Sequence, residues 1–296
     1  MSEAPLVTIG LPAYNRERFI RKSLESLLAQ TYTNFVLIIS DNASTDATSD
    51  ICREYAARDS RIRYHRNEVN IGNPRNFNRI AELTTTKYLK WSTTDDLWEP
   101  TFLERAVPIM ESDPSIALCY PKTYVIDAEG KNPTPYEDGL NLMQDDPAER
   151  FLTLVKSIGL AHQHLGVIRM SCLRKTRLLG THVASDLNLL AELALYGKFY
   201  ELPERLFYRR MHDTSGSWRR ADKQHQAKHY HGATKRGGHL TNWHGHLGFF
   251  SAVHRSPLPA SSRLHIYGHL LKRMVWDRRE LVHELVDYAR APRKTA

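Results

Sequence analysis

The sequence predicts an α/β protein with a mostly parallel central sheet, helices on both faces and a basic helical extension at the C-terminal end. Three observations lead there. Short β-branched runs alternate with amphipathic helical spacing through the first 115 residues, which is the pattern of βαβ units. Polar clusters follow three of those runs, at the strand ends where open parallel sheets bind ligands. Charge is also unevenly spread: residues 1–204 carry 23 basic and 27 acidic groups, whereas residues 205–296 carry 18 and 6.

Leu6 to Leu11 reads as a buried strand, and helical spacing follows through Phe19, Ile20, Leu24, Leu27 and Leu28. Phe35 to Ser40 is a second buried strand, after which Ser44-Thr45-Asp46 can cap a helix reaching about Arg58. Arg61 to His65 alternates like a third strand. Pro74 sits where a first helical turn tolerates it, and that helix runs to Leu83. Tyr88 to Ser92 is the fourth strand, and Thr101 to Met110 a further helix. Ile116–Tyr120 and Thr123–Ile126 look like strands, followed by a turn at Asp127-Ala128-Glu129-Gly130 and a surface loop at 131–147. A helix at 148–157, a strand at Val167–Met170 and a helix from Asp186 to Tyr196 come next. Phe199–Leu202 and Leu206–Arg209 close the series as short strands. Residues 215–240 are polar and His-rich, and 261–290 return to one amphipathic helix.

Composition narrows the function. Of 296 residues, 41% are apolar and 25% charged, which excludes a disordered or collagen-like chain. No apolar run approaches the ~20 residues of a membrane-spanning helix. The first five residues do not resemble a secretion signal, and three distant cysteines do not make a disulfide framework. A cytoplasmic location is expected. The formal charge of +8 resides in the C-terminal third, with 11 of the 15 histidines. Such a segment suits an anionic membrane face, a phosphorylated substrate or a nucleic acid, or is a solvated surface.

The strand ends carry the chemistry. Pro12-Ala13-Tyr14-Asn15-Arg16 follows the first, Asp41-Asn42-Ala43-Ser44-Thr45-Asp46 the second, and Thr93-Thr94-Asp95-Asp96 the fourth. No GxGxxG or GxxxxGK[ST] turn is present, which argues against a dinucleotide or P-loop site. Adjacent carboxylates at a strand end suit Mg2+ or Mn2+, which could hold a phosphate without such a loop. Trp91 and Trp98 flank the pair and read as core or pocket wall. His225-Gln226-Ala227-Lys228-His229 has HExxH spacing but lacks the glutamate, so a zinc hydrolase is not indicated.

The run from Val7 to Thr48, followed by Tyr88–Pro100, resembles the nucleotide-sugar half of family 2 glycosyltransferases. The resemblance spans roughly residues 5–215. It implies a GT-A fold, Rossmann-like in its sheet, over 1–215 (donor half 1–115, acceptor half 116–215), with 216–296 as the basic extension. It implies an inverting transfer from a UDP- or dTDP-sugar to a hydroxyl on a glycolipid, glycan, protein or small molecule. Pro12, Ala13, Tyr14, Asn15, Arg16, Asp41, Asn42, Arg75, Thr94 and Asp95 would then contact the nucleotide. Asn42 stands where the family usually has a second aspartate, and its amide oxygen could accept from the base. Asp95 and Asp96 match the DxD-type motif, but Thr93 replaces a further aspartate, so the two share ribose contact and metal ligation. Asp186 would be the general base, with His182 second; an N-cap is an alternative role for Asp186. His212 would join Asp95 and Asp96 on Mn2+ or Mg2+, and Arg209 or Arg210 would face the diphosphate.

Two rivals remain on the sequence. A sugar-phosphate nucleotidyltransferase shares a related sheet but needs a glycine-rich basic first loop. A non-catalytic module could grip nucleic acid or an anionic surface through the basic segment, although no nucleic-acid motif is recognisable there. The basic C-terminal helix itself either packs over the acceptor site or rests on an anionic bilayer as a peripheral contact.

Overall fold

The computed structural model describes residues 4–137, 139–183, 185–213 and 240–290. The expected domain boundary at 215 and the His225/His229 spacing lie outside the described residues, as does most of the His-rich stretch.

The first four strands form the parallel half. β1 (Val7–Ala13) lies between β2 (Phe35–Asp41) and β4 (Tyr88–Trp91), and β3 (Ile62–Arg66) pairs outside β2. β1 and β2 are buried at every position, as strands covered on both faces must be. The helices α1 (Ile20–Leu28), α2 (Thr48–Arg58) and α3 (Asn73–Leu83) connect them. The N-cap of α2 is Ala47 and has no side-chain cap, contrary to the expected cap at 44–46; Asp46, one residue earlier, accepts from the Thr48 N–H at 3.0 Å. Pro74 sits in the first turn of α3, where no amide hydrogen is required.

Beyond β5 (Leu97–Trp98) and α4 (Phe102–Ser112) the sheet becomes mixed. β6 (Ile116–Ile126) is one long strand, not two, with irregular register at Pro121–Thr123. β7 (Thr134–Tyr136) pairs with it antiparallel, inside the stretch expected as loop. After α5 (Pro147–Ser157) and a 3-10 turn at His162–Leu165 come β8 (Val167–Arg169) and the short α6 (Met170–Leu173). β8 joins the two halves, antiparallel to both β4 and β6. α7 (Ser185–Ala194) leads to β9 (Lys198–Arg210), which runs parallel to β6 and antiparallel to β5. The final order is β3-β2-β1-β4-β8-β6-β9-β5.

Three helices follow: α8 (Thr241–Arg255), α9 (Ala260–Trp276) and α10 (Arg278–Arg290). The sequence reading foresaw one helix over 261–290. Two form instead, separated at Asp277, whose carboxylate turns inward to His246. Phe249, Val253, Ile266 and Leu270 belong to the same apolar core as the sheet. The extension is therefore fastened to the mixed part of the sheet and α5, with Phe249 edge-on to Phe151 of α5.

Gly10 marks the tightest point above the parallel sheet. A methyl there would stand 2.3 Å from Ile80 Cγ2 of α3 and 3.2 Å from the Trp91 ring. Gly10→Ala should lower unfolding free energy by about 1–3 kcal/mol, read by urea denaturation.

Candidate active site

All the carboxyl ends of the parallel strands open on the same side, and the loops there are tied to one another. Asn15 adopts φ 50, a conformation that asparagine tolerates better than most residues. Its N–H donates to Ser44 Oγ at 3.1 Å, and its Oδ1 accepts from the Thr45 N–H at 2.8 Å. The Arg16 N–H donates to Thr48 Oγ1 at 2.7 Å. The loops after β1 and β2 thus form one unit, with Pro12 and Ala13 buried in its floor and Tyr14 and Arg16 half-buried at its rim.

Asp41 and Asn42 are framing groups. Asp41 accepts from the Ser44 N–H, Ser49 Oγ, Tyr64 Oη and Arg66 Nη1, at 2.6–2.9 Å. Burial favours its neutral acid, but the Ser44, Ser49 and Tyr64 bonds outweigh this and hold its pKa below the usual carboxylate range. Asn42 Oδ1 accepts from the Ile71 N–H at 2.9 Å and Asn67 Nδ2 at 3.1 Å, and its Nδ2 donates to Asn70. The amide oxygen expected to meet a base is thus engaged by two internal donors. Arg75 lies exposed in the first turn of α3.

The acidic pair after β4 is divided in its contacts. Asp96 is buried, with Oδ2 accepting from Thr93 Oγ1 at 2.5 Å and Oδ1 from the Arg210 N–H at 2.7 Å. Thr93, standing where an aspartate was expected, is therefore a donor to Asp96. Burial, and next the Asp95 charge, push Asp96 up to about 7. Asp95 Oδ2 lies 2.8 Å from His212 Nε2. Burial alone would raise the Asp95 pKa, but His212 and the nearby Arg16 charge hold it below the ordinary value. The His212 ring packs on Phe19 at 4.7 Å between centroids. Thr94 is buried beside the pair.

Arg210 holds the Asp95 turn in place. It is buried, and its Nε donates to the Asp95 carbonyl at 2.7 Å, while Nη1 donates to the Ala128 carbonyl at 2.9 Å. Its guanidinium is thus committed to backbone rather than presented to a diphosphate. Arg209 Nη1 donates to the Leu160 carbonyl at 2.7 Å, and its charge is felt by Asp96 and His162. Trp91 and Trp98 are both core residues. Lys90 Nζ, fully buried in β4, lies 3.4 Å from the centre of the Trp98 ring.

Asp186 lies in the first turn of α7 and accepts from the Leu187 N–H next to it, at 3.0 Å. That contact is local rather than a cap across the turn. His182 instead lies 2.8 Å from Asn188 Oδ1 and stacks on His244. Sequence reasoning missed His162 and His164. Asp186 acts electrostatically on His164, and His164 Nδ1 lies 2.6 Å from the Ala161 carbonyl. Ala161 has φ 54, unusual for alanine. The detectable signal was two histidines spaced i, i+2 immediately before a buried strand.

A divalent cation fits only as a shared site. Among the described residues no group of three or more His, Cys, Asp or Glu side chains is arranged to hold a metal. Asp95 supplies a carboxylate oxygen, the donor type that Mn2+ and Mg2+ take, with the His212 imidazole beside it; substrate phosphates and water would have to complete the shell.

The sequence matches the model of the family described as Glycosyl transferase family 2 over residues 8–176, more than half of the chain. It is 32% identical over 130 residues to an uncharacterised glycosyltransferase of Methanocaldococcus jannaschii, covering 43% of this chain and 45% of that protein. To chondroitin synthase of Escherichia coli it is 34% identical over 130 residues, covering 44% of this chain and 19% of that one. The matched regions thus span less than half the length of these two curated relatives. Among solved structures, TarS of S. aureus in complex with UDP-GlcNAc superposes with TM-score 0.67 at 15% identity, covering 95% of this chain and 80% of that one. A mannosyltransferase of Pyrobaculum calidifontis in complex with GDP-Man and Mn2+ gives 0.57 at 17%, covering 98% and 77%. These likenesses show a common GT-A fold.

His162 offers a test of the turn before β8. It is buried between Tyr136 and Phe207, and burial, reinforced by Arg209 and His164, pushes it down to about 3. Below its unfolded value of ~6.5, the unfolded chain takes up a proton that the folded chain refuses. Stability from this group is complete above that pH and declines on acidification by up to ~1.4 kcal/mol per unit. Urea titrations between pH 7 and 5 should show that decline, and His162→Gln should flatten part of it.

Proposed function

The chain belongs to glycosyl transferase family 2, and from that membership we propose that it transfers a sugar from a UDP- or dTDP-sugar to an acceptor hydroxyl with inversion. Synthesis of a polysaccharide or other glycoconjugate is the setting that the likeness to chondroitin synthase favours. The observation that carries the reading is the pairing of Asp95 with His212, 2.8 Å apart at the open strand ends, within reach of the Arg16 charge.

In this reading the floor formed by Pro12, Ala13, Asp41 and Asn42 receives the nucleotide, and Tyr14 supplies an aromatic face at its edge. Because the Asp41 and Asn42 side chains are internally bonded, they shape the base pocket through the backbone they hold. Asp95 and His212 would hold Mn2+ or Mg2+, which when bound supplies positive charge to the departing diphosphate. Arg16 and Arg209 add fixed cations on either side of the acidic pair. Arg210 and Asp96 position the Asp95 turn. Asp186 takes the proton of the acceptor hydroxyl as its oxygen bonds to the anomeric carbon and the bond to the diphosphate breaks.

Nucleotide release from a panel of UDP-, dTDP- and GDP-sugars, with acceptor and Mn2+, tests the proposal. Asp95→Asn should lower kcat about 100-fold or more, and Asp186→Asn by roughly 100- to 10,000-fold with less change in donor binding. Undiminished turnover in excess chelator would refute the metal role, and full activity of the Asp186 variant would remove it as base.

A further inference from the structure

The side of the C-terminal helices turned away from the sheet is unlike the rest of the surface. Eight of the ten exposed large apolar side chains among the described residues fall between Leu264 and Tyr288. On α9, Leu264, Leu271 and Val275 recur at i, i+7 and i+11, which places them along one stripe. Trp276 follows at 79% exposure. On α10, Val282, Leu285 and Val286 occupy i, i+3 and i+4, again on one face. The opposite sides are fastened inward. Ile266, Leu270 and Leu281 are buried, Arg273 Nη1 donates to the Val155 carbonyl, and Trp243 Nε1 donates to the Leu281 carbonyl.

Charge is sorted across the same two helices. Three of the four acids between 260 and 290 have partners: Asp277 lies 3.1 Å from His246 Nε2, Glu284 accepts from the Asn242 N–H at 3.0 Å, and Asp287 lies 3.4 Å from His283. Lys272, Arg278, Arg279 and Arg290 are exposed. The outward side is consequently apolar with basic residues and carries only Glu280 as an exposed acid. Apolar stripes bearing an interfacial tryptophan and flanked by Lys and Arg are the chemistry of helices lying in a membrane surface. A second copy of the chain would bring the same cations face to face in a two-fold contact, which is unfavourable. An anionic bilayer accepts both the apolar stripes and the cations.

We propose that α9 and α10 form a peripheral docking surface for an anionic phospholipid bilayer, using Leu271, Val275 and Trp276 as the inserted groups and Arg278 and Arg279 as the headgroup contacts. This surface is independent of the proposed transfer chemistry. Co-sedimentation of the full chain with vesicles of phosphatidylcholine alone, and of phosphatidylcholine mixed with phosphatidylglycerol, tests it directly. Binding is expected on the mixed vesicles and not on the neutral ones, and it should weaken with added salt. Arg278→Glu/Arg279→Glu should weaken it roughly 30-fold or more, and Leu271→Glu/Trp276→Ser at least roughly tenfold. The single change Trp276→Ser, at a side chain that the fold hardly covers, keeps the test open should a double variant not fold. Equal binding to both vesicles, no binding, or binding insensitive to these changes would overturn the proposal. So would light scattering that shows a dimer dissociated by Leu271→Glu, since a second copy would then be the occupant.

Discussion

Two neighbouring carboxylates cannot be buried together at a strand end unless something else balances them, and the last residues of β9 do so here. Asp96 receives the Arg210 N–H and Asp95 faces His212, so groups more than a hundred residues apart meet at one turn. The Arg210 side chain completes the arrangement by bonding the Asp95 and Ala128 carbonyls. A carbonyl–guanidinium contact is charge-assisted and directional, which is why that arginine fixes the turn instead of facing the crevice. The β5–β9 pairing sets the approach, because Leu97 and Trp98 stand opposite Tyr208 and Phe207. The acidic pair, the antiparallel pairing beneath it and the histidine above it are one mechanical unit.

Lys90 extends the same balance into the core. A wholly buried ammonium is costly, and burial drives its pKa well below the usual range while Asp96 opposes that trend. The Trp98 face 3.4 Å away offers the stabilisation an aromatic ring gives a cation. Trp98 in turn donates its Nε1–H to Ser92 Oγ and packs on Phe102 and Phe207. A tryptophan that the sequence reading placed in the core or pocket wall is thus shared between the core and the electrostatics of the acidic turn.

The parallel half was legible because its order follows from local pattern. The continuous apolar runs at Val7 and Phe35 and the early proline at 74 each specify an element without distant information. The loops after β1, β2 and β4 were found for the same reason. What was not legible depends on pairing at long range. Two short strands were expected where β6 runs continuously, because its partner β9 carries it through the irregularity at Pro121–Thr123. A break at Asp277 could not be read from a helical period that barely changes there. The hydrogen bonds that divide Asp96 from Asp95, and commit Asn42 to the Asn67–Ile71 segment, connect residues whose separation hides them from any motif. Arg209 and Arg210 look alike in sequence, yet Arg210 bonds the Asp95 and Ala128 carbonyls and Arg209 that of Leu160.

That last distinction says how the two halves of the protein cooperate. Arg210, with the neighbouring Asp127–Gly130 turn, supports the site from behind; a side chain at Gly130 would meet the guanidinium at 2.9 Å. Arg209 reaches the Leu160 carbonyl, just before the strained Ala161 and the turn that carries His162 and His164. One end of β9 therefore bonds two turns: its backbone and one arginine hold the acidic turn, while the other arginine bonds the carbonyl just before the histidine-bearing turn. Both turns thus share one anchor. Because β9 also pairs with β6 along most of its length, the two turns are tied to the sheet as well as to one strand end.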